Sequence, residues 1–300
     1  MKNQDVTMNE NKSRGPSGQN ANRASALLCG FAAVMALTSV AVGQDLAAVV
    51  ETAPAQGDAD LAQQLSNPLA DLISLPIQSN FDFNFGPLDE GFKLQTNIQP
   101  VIPFDLSEDW NLITRTIVPV IYQEDLFPGA GSQFGLGDVS LSLWASPKAP
   151  TEGGVTWGVG PVFLLPTATD ALLGGEKWGA GPTAIVLKVQ GPWTYGMLAN
   201  HIWSFAGDGN RSDINSTFMQ PFVAYTTADA WTYSLQSESS YNWTADQWSI
   251  PVNVAASKLV KFGELPVSLQ AGIGYWAEAP ENGPEGLRFR LAATLVLPKW

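Results

Sequence analysis

Residues 231–243, WTYSLQSESSYNW, carry the pattern that decides the fold. Apolar Trp231, Tyr233, Leu235 and Trp243 share one row of this stretch, and the alternate positions are polar. Side chains along a β-strand point to its two faces in turn, so the pattern predicts a strand with one apolar and one polar face. Tryptophan rings prefer the boundary between hydrocarbon and water. A tryptophan at each end therefore indicates a strand that crosses a membrane.

Twelve runs of this kind follow one another to the C-terminus. At about 3.3 Å per residue and a tilt near 40°, such runs cover an apolar band of about 25–30 Å. We predict an all-β fold, a closed antiparallel up-and-down transmembrane β-barrel of about twelve strands, between roughly ten and fourteen. A soluble β-sandwich is the alternative, but it would place its largest aromatic side chains in mid-strand, facing the core. The runs lie near residues 75–85, 92–104, 110–123, 136–146, 155–166, 179–190, 193–206, 215–227, 231–243, 248–260, 267–278 and 287–300.

The N-terminal segment is typical of a secretory signal. Four basic residues precede the apolar residues 26–42, and small residues then lead to a cleavage site after Gly43. We predict a signal peptide over residues 1–43, with an uncleaved inner-membrane anchor as the alternative. Cys29 is the only cysteine, so the exported chain would contain none, which suits an oxidising periplasm.

Residues 44–74 are predicted to form a linker and a short amphipathic helix in front of the barrel, which occupies residues 75–300. Within residues 58–74, Leu61, Leu65 and Leu69 recur at helical spacing, and Pro68 is expected to break the helix. This element could cap the barrel, enter its lumen or lie at the periplasmic surface. A partly ordered leader is the simpler alternative.

The tryptophans sort into two belts when they are placed by strand direction. Alternate connections lie on opposite sides of the membrane, and the set predicted to lie outside is the longer one, as in outer-membrane barrels. We predict that all of the tryptophans anchor the barrel at the membrane interfaces. They are Trp110, Trp144, Trp157, Trp193, Trp231 and Trp300 on the periplasmic side, and Trp178, Trp203, Trp243, Trp248 and Trp276 on the outer side.

Charged side chains within the strands are few, and we expect them to face the lumen, because Arg or Lys facing lipid costs about 2–4 kcal/mol at the midplane. Closing the barrel by pairing its last strand with its first brings Arg288 and Arg290 beside Asn84 and Asp82, and the first hairpin brings Lys93 opposite Asn84. This patch is either an ion-pair seam that fixes register or a constriction that selects anionic or polar solutes. The candidates for the lumen are Asp82, Lys93, Arg115, Lys188, Glu238, Arg288 and Arg290.

Catalytic chemistry has little support in the sequence. His201 is the only histidine, and Ser204 stands three positions along the same strand, where its side chain points to the opposite face. We therefore predict that the protein is not an enzyme, and we expect neither a metal site nor a cofactor. The net charge of −13 without a basic stripe argues against nucleic-acid binding.

Three stretches carry a resemblance to a known family. They are FPGAGSQFGLGD (127–138), GPVFLLPTATDALLGGEKWGAGPTAIVLK (160–188) and GPWTYGMLANHIWSFAG (191–207). They resemble a bacterial family labelled neuromedin U, a name borrowed from an unrelated animal peptide. The chain is also similar to the outer-membrane transporters grouped with meta-pathway phenol degradation. The resemblance implies an outer-membrane barrel with a transport role, and it carries over no catalytic or binding residue.

The function expected from these observations is passive passage of small molecules, which the resemblance suggests are hydrophobic or aromatic, through a porin-like barrel in the outer membrane of a Gram-negative cell. A non-conducting structural or surface barrel is the alternative, and an outer-membrane hydrolase ranks third. Expected partners are outer-membrane lipid, a small-molecule solute and the barrel assembly machinery. That machinery would recognise the C-terminal strand, although Pro298 puts Trp300 out of step with Leu295 and Leu297.

Overall fold

One helix and fifteen strand segments make up residues 56–299, the part of the chain that the computed structural model describes. The predicted signal peptide, the first part of the linker and Trp300 lie outside the described residues. The helix is α1 (Gln56–Leu65). The strand segments are β1 (Ile73–Phe85), β2 (Gly91–Ile98), β3 (Val101–Asp105), β4 (Trp110–Glu124), β5 (Ser132–Leu136), β6 (Val139–Pro147), β7 (Val155–Leu165), β8 (Lys177–Gln190), β9 (Trp193–Gly207), β10 (Asn215–Thr226), β11 (Trp231–Ser237), β12 (Ser239–Asn242), β13 (Gln247–Phe262), β14 (Leu265–Glu278) and β15 (Leu287–Leu297).

The fifteen segments form twelve strands of a barrel, because three pairs of segments each continue one strand. Gln99 and Pro100 separate β2 from β3 without changing the register against β4. Gly137 and Asp138 separate β5 from β6, and the register against β4 shifts there by one residue, as in a β-bulge. Glu238 alone separates β11 from β12, and both pair with β13 in one register. The predicted count of twelve strands is confirmed.

The barrel closes through the first and last strands. β1 pairs antiparallel with β15 from Ile73 opposite Leu297 to Phe81 opposite Phe289. Every other pair of neighbouring strands is also antiparallel, and the neighbours follow chain order. Closure leaves no free sheet edge, which a strand structure needs where no water can satisfy its backbone groups. The predicted up-and-down barrel is confirmed, and the β-sandwich alternative is wrong.

Inward and outward rows alternate along the strands. In β13, Asn253 and Ser257 are buried, whereas Val252 and Val254 on the alternate row are exposed. The exposed row carries large apolar side chains on most strands, as an exterior in contact with hydrocarbon requires.

The connections at the two ends of the barrel differ in length. We call the end with residues 86–90, 125–131, 166–176, 208–214, 243–246 and 279–286 the loop end. The opposite end, with residues 106–109, 148–154, 191–192, 227–230 and 263–264, is the turn end. The chain enters β1 at the turn end.

The helix α1 packs at the turn end of the barrel, where Ala62 meets Ala230 and the inward-facing Leu259. Residues 66–72 then lead into β1, and Leu69 from this stretch is buried among lumen side chains. The predicted short helix before the barrel is confirmed, and it ends at Leu65, before Pro68. Within residues 56–299, no helix is long and apolar enough to cross a bilayer.

Candidate functional site: the barrel lumen

Five charged side chains meet inside the loop end of the barrel. We call Asp82, Lys93, Glu238, Arg288 and Arg290 the arginine cluster. Arg288 Nη2 donates to Asp82 Oδ2 at 3.1 Å, and Arg290 Nη2 donates to Glu238 Oε2 at 2.6 Å. Lys93 stands opposite Asp82 in the β1–β2 register and Arg290 opposite Asn80 in the β1–β15 register, so both pairings are shifted by two residues from the predicted ones. The sequence-derived patch on β1, β2 and β15 is therefore assembled in the structure, and Glu238 joins it.

Glu238 reaches the arginines from a strand that is not a neighbour of β15. It belongs to the strand formed by β11 and β12, and the strands β13 and β14 separate that strand from β15 in the barrel wall. The hydrogen bond between Arg290 and Glu238 therefore spans part of the lumen and does not join neighbouring strands of the wall. The positive charges of Arg290, Arg288 and Arg115 all act on Glu238. The cluster consequently narrows the barrel as well as lining it.

Glycine and tryptophan side by side on β14 shape the cluster. A Cβ at Gly274 would lie 2.7 Å from Arg288 Cγ, so only glycine leaves room for the arginine stem there. Trp276, on the same inward row, donates from Nε1 to Asp82 Oδ1 at 2.8 Å. Its ring centroid lies 5.0 Å from Arg288 Cζ, within range of a cation–π interaction. The two β14 residues together fix the position of Arg288.

The cluster retains hydrogen-bond donors that have no acceptor. Arg290 and Arg288 are 1% and 5% exposed, and Arg290 Nη1 and Arg288 Nε find no partner among the described residues. Lys93 makes no ion pair or hydrogen bond in the same part of the chain, and Arg115 donates only to Gln99 at 2.5 Å. Buried donors without partners are costly. An anion or an ordered water in the lumen would satisfy them.

The charges of the lumen do not cancel. Lys93, Arg115, Arg288 and Arg290 supply four positive charges, and Asp82 and Glu238 supply two negative ones, an excess of two positive charges. The whole chain carries −13. The interior thus has the opposite sign to the protein, and low-dielectric walls focus such a field on a solute.

The turn end of the lumen is filled by apolar side chains instead. Leu69 is 6% exposed and packs against Ile113 and Trp144, the latter fully buried. We call this group the leucine plug. Trp144 Nε1 donates to Thr183 Oγ1 at 3.1 Å, across β7. A Cβ at Gly158 on β7 would lie 3.1 Å from Trp144 Cβ, so glycine lets the indole lie over that strand. Further members of the plug are Ile185, Leu187 and Leu198, with Val101, Phe218 and Phe222 packed against them.

Polar contacts tie the segment that carries Leu69 to the turn end. Asp58 pairs with Lys261 at 2.5 Å, and Gln63 Nε2 donates to the Gly191 carbonyl at 2.6 Å. Asp71 accepts from Lys299 at 2.6 Å, and this hydrogen bond raises the pKa of the Lys299 ammonium. All three contacts are at least partly exposed, and such contacts are individually weak. Residues 56–72 are therefore held mainly by the burial of apolar side chains.

Residues 166–176 fold inward over the loop end. Partly buried Asp138 accepts from the backbone N–H groups of Ala168 at 3.1 Å and Gly175 at 2.6 Å. Gln123, on the inward row of β4, donates to the Leu172 carbonyl at 3.1 Å. A second loop secures the first, because Arg211 Nη2 donates to the Ala171 carbonyl at 2.8 Å. Asp213 anchors this second loop by pairing with Lys177, the first residue of β8, at 2.9 Å. The hydrogen bond from Lys177 lowers the pKa of the Asp213 carboxyl.

One charged side chain that was predicted for the lumen lies on the outer wall of the barrel. Lys188 was predicted to face the lumen, but it lies on the outward row of β8, opposite Val155 and Tyr195. It stands near the turn end of its strand, where the cost of a charge near lipid falls to about 0–1 kcal/mol. Both rows of β8 are apolar at that end, so the alternation gave no usable signal.

Two tryptophans differ from their predicted positions at the interface. Trp144 and Trp276 face the lumen, as their buried Nε1 hydrogen bonds show. In each strand the tryptophan shares a row with small or polar residues, such as Ser142 beside Trp144 and Gln270 with Trp276. The composition of that row indicates an inward direction, whereas a position near the strand end alone does not distinguish the lumen from the membrane interface. The tryptophans on the outward rows are Trp110, Trp157, Trp178, Trp193, Trp203, Trp231, Trp243 and Trp248.

His201 also lies on the outward row, near the loop end. Its Nδ1 is 2.7 Å from Thr217 Oγ1, which also accepts from Trp243 Nε1 at 2.8 Å. Ser204, the nucleophile considered from the sequence, instead bonds Asp213 at 3.3 Å. No carboxylate among residues 56–299 orients His201, whose Nε2 has no partner. The same residues contain no group of three side chains suited to hold a metal.

Comparison with solved structures places this barrel among known ones. An outer membrane channel from Pseudomonas putida F1 is 16% identical and superposes with a TM-score of 0.60, over 76% of this chain and 97% of that one. The barrel shares the fold of that channel. The NanC porin (10% identity, TM-score 0.43, 75% and 100% covered) and the outer membrane phospholipase A from Escherichia coli (12%, 0.43, 81% and 97%) are more distant. No protein family and no curated protein matches the sequence, so the resemblance to the family labelled neuromedin U stays a prediction.

Proposed function

We propose that the protein is an outer-membrane channel for passive passage of small molecules, closed at the turn end by residues 56–72. The observation that carries the proposal is that a side chain from outside the barrel wall takes part in closing the turn end. Leu69 is the one member of the leucine plug that comes from outside the barrel wall, and it packs against lumen side chains of the wall strands. A closure of this kind can leave without breaking the β-sheet. The shared fold with an outer membrane channel supports the same function.

The proposed solute has an apolar body and preferably an anionic group. The excess positive charge of the arginine cluster favours anions at the loop end. Beyond it, Ile113, Leu198 and Phe222 line a zone that favours apolar or aromatic groups. The two zones lie in series along the barrel axis.

The proposed location follows from the outer wall. Exposed apolar rows suit contact with outer-membrane lipid, and outward-facing tryptophans near both ends suit its two interfaces. We propose that the signal peptide exports the chain and that the assembly machinery recognises its C-terminal strand. A non-conducting structural barrel is the competing function, and in it the leucine plug would be permanent. His201 without an orienting carboxylate supports a role other than catalysis.

Conductance of the purified full chain in planar bilayers tests this function. We expect rare openings of the natural protein and frequent openings of Leu69→Ser, which places a hydroxyl in the apolar plug. Leu88→Ser, at an exposed position in a connection of the loop end, is the matched control and should behave like the natural protein. A Leu69→Ser barrel that never conducts would favour the structural alternative. Arg290→Met should then reduce the preference for anions over cations through the open barrel.

A further inference from the structure

We propose that the outer wall of the barrel binds one phospholipid, with an acyl chain in a groove that crosses β8 to β13 and the phosphate group at Lys188. The groove has a volume of about 700 Å³. The inference rests on the proposed membrane location of the barrel, but it concerns a surface that the proposed channel function does not use.

The walls of the groove are apolar and belong to the outward rows. Met197 lies opposite Pro221, and Val223 lies opposite both Tyr195 and Leu235. Most of these side chains are exposed, so in a membrane they meet hydrocarbon. The groove crosses four inter-strand spacings of about 4.8 Å, or roughly 19 Å. One leaflet of the hydrocarbon core is about 15 Å thick, so the groove can take one acyl chain along its length.

Lys188 supplies the single charge at the edge of this apolar groove. It is one of the lining residues and lies opposite Val155 and Tyr195. Its side chain extends towards the turn end, because a Cβ at Gly154 would lie 3.7 Å from Lys188 Cε. Among residues 56–299 the ammonium has neither an ion pair nor a hydrogen bond. A cation on an apolar wall without a partner in the protein requires one from the lipid or the water.

The depth of Lys188 in the membrane determines which anion can bind its ammonium group. Outward-facing Trp157 and Trp193 stand on the strands beside it, Trp157 opposite Val186 and Trp193 opposite Gln190. Such aromatic side chains mark the level of the lipid headgroups. At that level the anion available in quantity is a phospholipid phosphate, and its acyl chain necessarily enters the hydrocarbon beside it. The apolar groove and the cation therefore match the two parts of one molecule.

Lys258 provides a matched control within the same protein. It also lies on an outward row near the turn end, opposite Trp231 and Leu269. Its ammonium, however, donates to the Asp229 carbonyl and stands 5.4 Å from the Trp231 ring centroid. The Lys258 ammonium thus has partners within the protein, and Lys258 does not line the groove. Loss of its charge should leave a lipid at Lys188 untouched.

Native mass spectrometry of the full chain in detergent, titrated with phosphatidylglycerol, tests the site. We expect one lipid to remain bound to the natural protein after delipidation. Lys188→Gln should weaken binding about fivefold, the effect of one basic residue at an anionic headgroup. Val223→Trp, which fills the groove and leaves Lys188 in place, should weaken it as well. Lys258→Gln should bind like the natural protein.

Several results would overturn the site. These are equal weakening by Lys188→Gln and Lys258→Gln, equally tight binding of a diacylglycerol that lacks the phosphate, or a dimer of the chain that excludes the lipid. A heat-dependent shift on SDS gels shows separately that the barrel is formed. A chain without that shift would overturn the proposed function too, whereas a shifting barrel that retains no phospholipid overturns this inference alone.

Discussion

The two ends of the lumen are filled by opposite chemistry. At the loop end, the side chains of the arginine cluster all come from strands of the wall, and they are held by directed ion pairs. At the turn end, the leucine plug depends on one side chain, Leu69, from a segment outside the wall. Apolar contact is not directional, so a single residue can seal a gap by fitting its shape. Ion pairs need fixed geometry, and only the rigid strands provide it.

The arginine cluster is therefore a permanent part of the barrel wall, whereas Leu69 can be removed without breaking the wall. Breaking the arginine cluster leaves buried charges in the wall, and the whole barrel loses stability. Removing Leu69 exposes apolar surface at one end and leaves every strand pair intact. Mutations at the two ends should therefore differ in what they destabilise, and not only in how much.

The largest expected effect lies in the arginine cluster. Arg290→Met removes the cation that binds Glu238 and should lower the free energy of unfolding by about 3 kcal/mol. The value lies at the low end for buried pairs, because Glu238 is 21% exposed and keeps Arg288 at 3.9 Å. Unfolding in urea from lipid vesicles, followed by tryptophan fluorescence, measures the loss.

The matched control for Arg290→Met removes both charges. Arg290→Met with Glu238→Gln leaves no uncompensated carboxylate, so most of the lost stability should return, to within about 1 kcal/mol of the natural protein. If the double variant is as unstable as the two single losses added together, the pair does not act as a unit, and the cluster would be a set of separate contacts.

The next effect concerns the leucine plug. Leu69→Ala removes most of a buried side chain and should weaken docking of residues 56–72 by about 2 kcal/mol, or roughly 30-fold in the undocked population. The rate at which a protease cuts within residues 56–72 measures that population. Unfolding of the barrel in urea should not change. If the barrel itself becomes less stable by the same amount, the plug is part of the core and the contrast between the two ends fails.

Much of this architecture could be predicted from the alternation of side chains. The rows on β1, β2 and β15 give the position of Asp82, Lys93 and Arg288, because antiparallel closure brings those strands together. The inward rows of β6 and β14 contain Trp144 and Trp276, whose inward direction follows from the small and polar residues beside them. The polarity of the row predicts that both indoles face the lumen, whereas their distance from a strand end does not.

Other features arise from the shape of the closed barrel and leave no local pattern. The contact of Glu238 with Arg290 depends on the curvature of the wall, which brings two strands that are not neighbours within reach of each other across the lumen, and alternation along one strand does not encode that curvature. The inward fold of residues 166–176 depends on Asp138, and a lone aspartate beside a glycine is equally typical of a plain turn. The entry of Leu69 into the lumen depends on space left by Gly158, a residue distant in sequence.

A smaller effect is expected at Gly274 and Gly158, the glycines that leave space for Arg288 at the loop end and for Trp144 at the turn end. A Cβ at Gly274 would lie 2.4 Å from Asn253 Oδ1 and 2.7 Å from Arg288 Cγ, and one at Gly158 would lie 3.1 Å from Trp144 Cβ. Gly274→Ala must displace a buried arginine stem, so we expect a loss of about 1–2 kcal/mol in unfolding free energy. Gly158→Ala should cost less, because its neighbours need to move only slightly. The reverse order would mean that the charged end yields more readily than the apolar end.

The smallest effect is a pH-dependent release of residues 208–214, the loop that secures residues 166–176 at the charged end. The hydrogen bond from Lys177 lowers the pKa of Asp213, so the folded state holds the carboxylate form. The contact is therefore complete above the pKa of an unfolded aspartate, near 3.9, and is lost as the pH falls through the lower folded value. Hydrogen exchange of residues 208–214 should quicken in that acidic range, and Asp213→Asn should exchange quickly at every pH. The docking of residues 56–72 should not follow this step, because its principal contact, Leu69, does not titrate. A plug that loosened together with the loop would show that the two ends of the lumen are coupled.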